Sequence, residues 1–218
     1  FNKVKELYYD YNIELFDDNL IKNFLSKYYE SYVLNTYEAL GPFSYKSDFA
    51  RFCILYKIGG WYFDIGLKLN KRFEVDEKTN LVFFRDLNFY SQTSWACAGG
   101  IIYSKPGNKI LLQAIQLIVD NVKNNYYGLT PLCPTGPSLW GKAIASIGID
   151  QNVIIGDFME LTPIHNTKNK AMVLPDGSIF AFNKDAPGGD LKSLGCQGTN
   201  NYNELWKSKR IYNVEDLI

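Results

Sequence analysis

Asp48, Arg51 and Asp64 are the residues on which chemistry in this chain can be built. The first two stand three apart in Ser47-Asp48-Phe49-Ala50-Arg51, and Gly59-Gly60-Trp61-Tyr62-Phe63-Asp64 follows closely. On a helix, a turn of about 100° per residue gathers Ser47, Asp48 and Arg51 on one arc, with Phe49, Phe52, Cys53 and Tyr56 opposite. Ile54 and Leu55 flank the polar arc, so this helix is apolar nearly all round, and Asp48 and Arg51 pair inside a partly enclosed site. Such a pair serves either structure alone or a ligand. The ligand-facing reading is preferred because a third charged group is delivered to the same region. Gly59-Gly60 turns the chain into a short strand with Asp64 at its C-terminal end, the side on which open α/β sheets bind ligands. A carboxylate there can hold a ribose hydroxyl or a divalent cation. Oxygen ligands suit Mg2+ or Mn2+, either of which would neutralise a diphosphate.

The elements that must position these residues alternate between helix and strand, which predicts an α/β class. Tyr11–Phe16 reads as a strand, Asp17-Asp18 as the cap of a helix running from about Leu20 to Tyr32, and Ser44 as the cap of the helix that ends at Gly59-Gly60. Strands are expected at Trp61–Ile65, Leu81–Phe84, Gly99–Tyr103, Val153–Ile155 and Ser178–Phe182. Leu111, Ala114, Ile115, Ile118 and Val122 repeat with the period of an amphipathic helix. Pro131–Pro137 is a loop before a helix at Ser138–Ile147, a glycine-rich stretch runs from Pro187 to Gly198, and Tyr202–Lys209 is a short closing helix.

Composition narrows the classes. The chain has 218 residues, enough for one domain (1–218) with a large core. Lys+Arg and Asp+Glu are both 23, which argues against a nucleic-acid partner or attachment to acidic lipid by charge. Aromatic residues make up 16% of the chain, suiting both a core and stacking on ligand rings. No apolar run approaches the ~20 residues of a membrane span, and no leader is visible. Cys53, Cys97, Cys133 and Cys196 lack CxxC spacing and read as reduced thiols of a cytoplasmic protein. The first residue is Phe1, as in an excerpt of something longer.

Taken together, these segments resemble the glycosyltransferases whose sugar-binding region contains a DXD motif, a family with the GT-A fold. Its pattern is S-D-x-x-R, a helix, then G-G-x-Y-x-D-x-D; here it reads Ser47-Asp48-Phe49-Ala50-Arg51 and Gly59-Gly60-Trp61-Tyr62-Phe63-Asp64-Ile65-Gly66. The resemblance continues through Gly99–Asn108, Tyr127-Gly128, Thr135-Gly136-Pro137 and Tyr202-Asn203-Glu204-Leu205-Trp206. It implies a single GT-A-like, Rossmann-like α/β domain with a mixed central sheet flanked by helices, lacking the family's first strand before Phe1. It also implies transfer of a sugar from a nucleotide diphosphate donor to a glycan or other hydroxyl acceptor, as in polysaccharide biosynthesis. The donor would be a UDP-sugar first and GDP-mannose second, with retention at the anomeric carbon. Asp48, Arg51 and Asp64 would be catalytic. Ser47, Tyr62, Asp64, Gly66, Thr135, Gly136, Pro137, Trp206 and Lys209 would line the donor, with Lys207 and Arg210 as further phosphate partners. Asp64 and Asn201 would bind Mn2+ or Mg2+.

This chain departs from the pattern where the second Asp of the motif is Gly66, and where Asn201 follows Asn200 in place of a histidine. Both departures weaken a metal site, and they motivate an alternative: a nucleotide-sugar or carbohydrate-binding module without turnover. A nucleotide-sugar hydrolase is a third reading. His165, the one histidine, reads as a loop residue, Gly188-Gly189 as a turn, and Asp86 as an outlying candidate for acceptor contact.

Overall fold

The computed structural model describes residues 2–87, 93–162, 169–183 and 201–213. The chain opens with a short helix α1 (Asn2–Leu7) that the sequence reading did not anticipate. Tyr11–Phe16, expected as a strand, joins no ladder. Its alternation serves a different end: Ile13 leans on one core and Phe16 on the other, so the segment bridges two apolar clusters as extended coil.

Asp17 does cap α2 (Asp18–Tyr28), accepting from the Leu20 N–H at 2.8 Å. The helix then breaks, because Tyr29 turns inward and donates its hydroxyl to the Cys53 carbonyl at 2.7 Å. A separate helix, α3 (Ser31–Ala39), follows. The next helix, α4 (Phe43–Ile58), begins one residue before the expected cap, with Pro42 rather than Ser44 at the N-cap. It stops at Gly59, whose φ of 69° is a left-handed conformation that favours glycine. Strand β1 (Gly60–Phe63) starts immediately and delivers Asp64.

Thereafter come β2 (Lys68–Leu69), β3 (Leu81–Arg85), β4 (Cys97–Ser104), α5 (Lys109–Lys123), α6 (Pro137–Ile147), β5 (Val153–Glu160), β6 (Lys170–Val173), β7 (Ile179–Phe182) and α7 (Tyr202–Lys207). Among the described residues these strands form one seven-stranded sheet in the order β1-β4-β3-β5-β6-β7-β2. The β3–β5 pair is parallel and the others are antiparallel, so the expected mixed α/β sheet with flanking helices is present.

Alternation along β1 divides the sheet's faces. Tyr62 points to the main core with α2 to α6, where Phe49, Phe52, Phe83, Ile102, Leu111 and Trp140 are buried. Trp61 and Phe63 point to a second core with Tyr8, Val82, Phe84, Ile101 and Phe180. Although β1 and β7 are far apart in strand order, the Trp61 and Phe180 rings are 5.5 Å apart, so the sheet curls around this second core.

Candidate functional site

The middle of α4 and the end of β1 meet at Arg51. Its side chain is 6% exposed, and a buried guanidinium must have its donors satisfied. Nε donates to the Ser47 carbonyl at 3.2 Å, Nη1 to the Gly99 carbonyl of β4, and Nη2 to Ser47 Oγ at 3.1 Å. Nη2 also lies 2.9 Å from Asp48 Oδ1 and 3.7 Å from Asp64 Oδ1. The guanidinium carbon sits 4.7 Å from the centre of the Tyr62 ring, a cation–π contact. A Cβ at Gly99 would stand 2.5 Å from Nη1, so any side chain there would push the head group aside.

A hydroxyl relay connects the charges. Tyr62 donates to Asp64 Oδ1 at 2.7 Å. With that proton committed, Ser47 Oγ, 3.2 Å from the Tyr62 oxygen, is the donor between them. On the other side, Thr135 donates to Asp48 Oδ2 at 2.9 Å. Gly136, the N-cap of α6, lies close enough to Asp48 Oδ2 that a Cβ would be 3.6 Å from it. Thus Ser47, Asp48, Arg51, Tyr62, Asp64 and Thr135 converge, and Gly136 and Pro137 begin the helix beside them.

Exposure ranks their tasks. Asp48 is 17% exposed with both oxygens engaged, whereas Asp64 is 45% exposed and its Oδ2 lies over Gly100. Burial raises the Asp48 carboxyl above its ordinary range, with Arg51 and Thr135 opposing the rise. For Arg51, burial disfavours the charge, but Tyr62, Asp64 and Asp48 outweigh it and its pKa is raised. Burial also raises Tyr62, keeping its phenol a proton donor. The cluster therefore holds one fixed cation behind one accessible carboxylate.

Other anticipated residues lie at the rim or elsewhere. Gly66 occupies a turn just after Asp64 and adds no carboxylate. Asn201 caps α7, accepting from the Glu204 N–H at 3.3 Å, and its amide donates to Glu204 Oε2 at 3.1 Å. The Trp206 indole N–H donates to the Tyr127 carbonyl at 2.7 Å. Lys209 stands over the Tyr127 and Trp206 rings, at 4.1 and 5.3 Å. Arg210 donates to Ser208 Oγ at 3.1 Å, and Lys207 is exposed. His165, Asn200, Cys196 and Gly188-Gly189 lie outside the described residues. The Tyr202 phenol is raised by burial and, less, by the fields of Asp48 and Asp86.

Among the described residues no three His, Cys, Asp or Glu side chains gather as a metal-binding group. The donor set fits a cation held mainly by water and ligand phosphate, with Asp64 as the one outward carboxylate, which is a common arrangement for Mg2+. It does not form a closed protein cage.

Comparison with known families gives a match over the first part of the chain. Residues 1–82 match the family described as "Glycosyltransferase sugar-binding region containing DXD motif", and that stretch contains Asp48, Arg51, Tyr62 and Asp64. No curated protein matches. A solved structure titled "PaToxG Glycosyltransferase" is similar at 21% identity over 48% of this chain, with a TM-score of 0.38. The chain spans only about a third (35%) of that structure's length.

Proposed function

We propose that this chain is a glycosyltransferase that moves a sugar from a nucleotide diphosphate donor, a UDP-sugar, to a hydroxyl acceptor with retention at the anomeric carbon. The observation that supports the reading most is the convergence of Asp48 and Asp64 on the Arg51 guanidinium, inside the segment that matches the family. Asp48 and Arg51 bind the donor sugar's hydroxyls and fix its orientation, a positioning contribution. Ser47 and Tyr62 hold the two charges in register. Asp64 meets the ribose and a hydrated Mn2+ or Mg2+, which when bound would offset charge growing on the leaving diphosphate. Thr135, Gly136 and Pro137 border the sugar, and the α7 segment with Trp206 and Lys209 closes the diphosphate side.

The loss of a carboxylate at Gly66 favours one rival, a nucleotide-sugar or carbohydrate-binding module without turnover. Titration with UDP, GDP and CMP, with and without Mn2+, followed by measurement of nucleotide release from the matching sugar donor, separates the two. Release supports transfer, and tight binding without release supports the module. Binding of none of these nucleotides would sink both.

A further inference from the structure

Tyr45 stands three residues before Asp48 on α4, so the two side chains share a face of the helix. It is 2% exposed, and its hydroxyl donates to the Pro131 carbonyl at 2.5 Å. Burial raises this phenol most, and the field of Asp48 next, so it stays protonated and remains a donor. The Tyr45 ring also lies 6.0 Å from that of Tyr202, at the start of α7. One buried side chain thus joins the helix that carries Asp48, the loop that carries Thr135 and the closing helix.

That loop has little structure of its own. Across 127–135 the described residues show a single backbone–backbone bond, from the Cys133 N–H to the Thr130 carbonyl at 3.1 Å. Its carbonyls are held by side chains of other elements instead. Pro131 accepts from Tyr45 of α4, and Pro134 from the Asn121 amide of α5 at 2.8 Å. Nearer its start, Tyr126 accepts from the Tyr212 hydroxyl at 2.5 Å and Tyr127 from the Trp206 indole at 2.7 Å. Thr135 follows the two held prolines, is 1% exposed, and donates to Asp48 Oδ2 at 2.9 Å. In a loop without a ladder such grips set where the hydroxyl stands, and a displacement of about 1 Å would break its bond to Asp48.

We infer that Tyr45 is a positioning residue for the donor sugar: by holding Pro131 it seats the Thr135 hydroxyl on Asp48, and so fixes the carboxylate that meets the sugar. This rests on the glycosyl-transfer reading and adds to it the residue that sets the sugar side of the site. Tyr45 touches neither the sugar nor the nucleotide, so its loss is felt by the sugar alone.

The test measures UDP release from UDP-glucose, UDP-galactose and UDP-N-acetylglucosamine with Mn2+, and the affinity for UDP itself by calorimetry. Where a donor is bound but not turned over, its Kd replaces KM. Tyr45→Phe keeps the ring and removes the hydroxyl; it should raise KM for the donor used by about tenfold while UDP affinity stays within about twofold. Thr135→Val should raise KM at least as much, and Thr135→Ser should restore most of the loss. Because Tyr45 acts through Thr135, Tyr45→Phe combined with Thr135→Val should be no worse than Thr135→Val alone. Tyr29→Phe removes another phenol–carbonyl bond to α4, at Cys53, and should leave KM unchanged. Losses that multiply in the double variant would overturn the proposal, as would a Tyr29→Phe effect equal to that of Tyr45→Phe or an equal fall in UDP affinity. In each of those cases an active parent chain leaves the glycosyl-transfer reading standing. A parent chain that binds none of the three donors removes the UDP-sugar reading and this assignment with it.

Discussion

The Tyr62 hydroxyl donates to Asp64 Oδ1 at 2.7 Å, and this bond restrains the carboxylate. Oδ1 also lies 3.7 Å from Arg51, while Oδ2 lies over Gly100. Replacing the phenol by a phenyl ring should release the carboxylate while keeping the ring's packing. Tyr62→Phe should cost about 1–2 kcal/mol of stability, the range for a lost buried hydrogen bond. It should also weaken UDP binding in the presence of Mn2+. Urea denaturation together with calorimetric titration checks both, and unchanged UDP binding would assign the hydroxyl to folding alone.

Arg51 presents the largest single vulnerability. Truncating one partner of a buried ion pair leaves the other charge unpaired, at a cost of about 3–5 kcal/mol. Arg51→Ala should lose about that much, and Asp48→Asn much less, since Thr135 and Arg51 can still hydrogen-bond the amide. Equal losses in the two variants would mean that the guanidinium's other partners, Ser47 and Gly99, carry little.

The backbone of β4 sets the space available to that guanidinium. Gly99→Ala places a methyl 2.5 Å from Arg51 Nη1, so the head group must shift. Overpacking of this kind costs about 1–3 kcal/mol, and donor affinity should fall with it. Gly107→Ala, where a Cβ meets nothing within 4 Å but φ is 74°, reports backbone strain alone. The two variants should differ in UDP affinity even where their stabilities agree.

Restoring the missing carboxylate should strengthen a cation site. Gly66→Asp is expected to tighten Mn2+ binding about tenfold or more, since affinity rises with the number of charged ligands. Isothermal titration of Mn2+ into parent and variant measures it. Equal affinities would show that position 66 does not face the metal.

Asp86 makes stability depend on pH in a definite direction. Its carboxyl holds a proton up to about pH 6 in the folded chain but only to about 3.9 unfolded. The folded state therefore binds more protons between those values, and stability falls as the pH rises from about 4 to 6. Asp86→Asn should remove this slope and raise stability at pH 7, by up to about 3 kcal/mol before allowance for partial exposure. Thermal melts at pH 4, 5, 6 and 7 give the sign directly.

Much of this was legible in the chain. The helix bearing Asp48 and Arg51, its stop at Gly59, and the strand leading to Asp64 all follow from local rules: apolar periodicity, a glycine at a positive φ, and a short aromatic run. The failures were non-local. Tyr11–Phe16 has a strand's alternation but no neighbour to pair with, and its apolar residues divide between two cores instead. The break at Tyr29 depends on a hydrogen bond to Cys53, 24 residues away. The two-residue β2 and the short β6 exist because other strands supply their ladders. In the cluster itself, the roles of Gly99 and Thr135 depend on where β4 and the α6 loop pass Arg51 and Asp48, which no spacing encodes.

The stretch that carries the recognisable motif is not an autonomous unit. Every strand lying wholly within residues 1–82 obtains its hydrogen-bonded neighbour from beyond residue 96: β1 from β4 and β2 from β7. The Arg51 guanidinium likewise rests on the Gly99 carbonyl, and Asp48 on the Thr135 hydroxyl. An excised N-terminal fragment would keep the signature and lose the scaffolding that gives it shape, so the charged cluster takes form only once the segments beyond residue 96 have joined it.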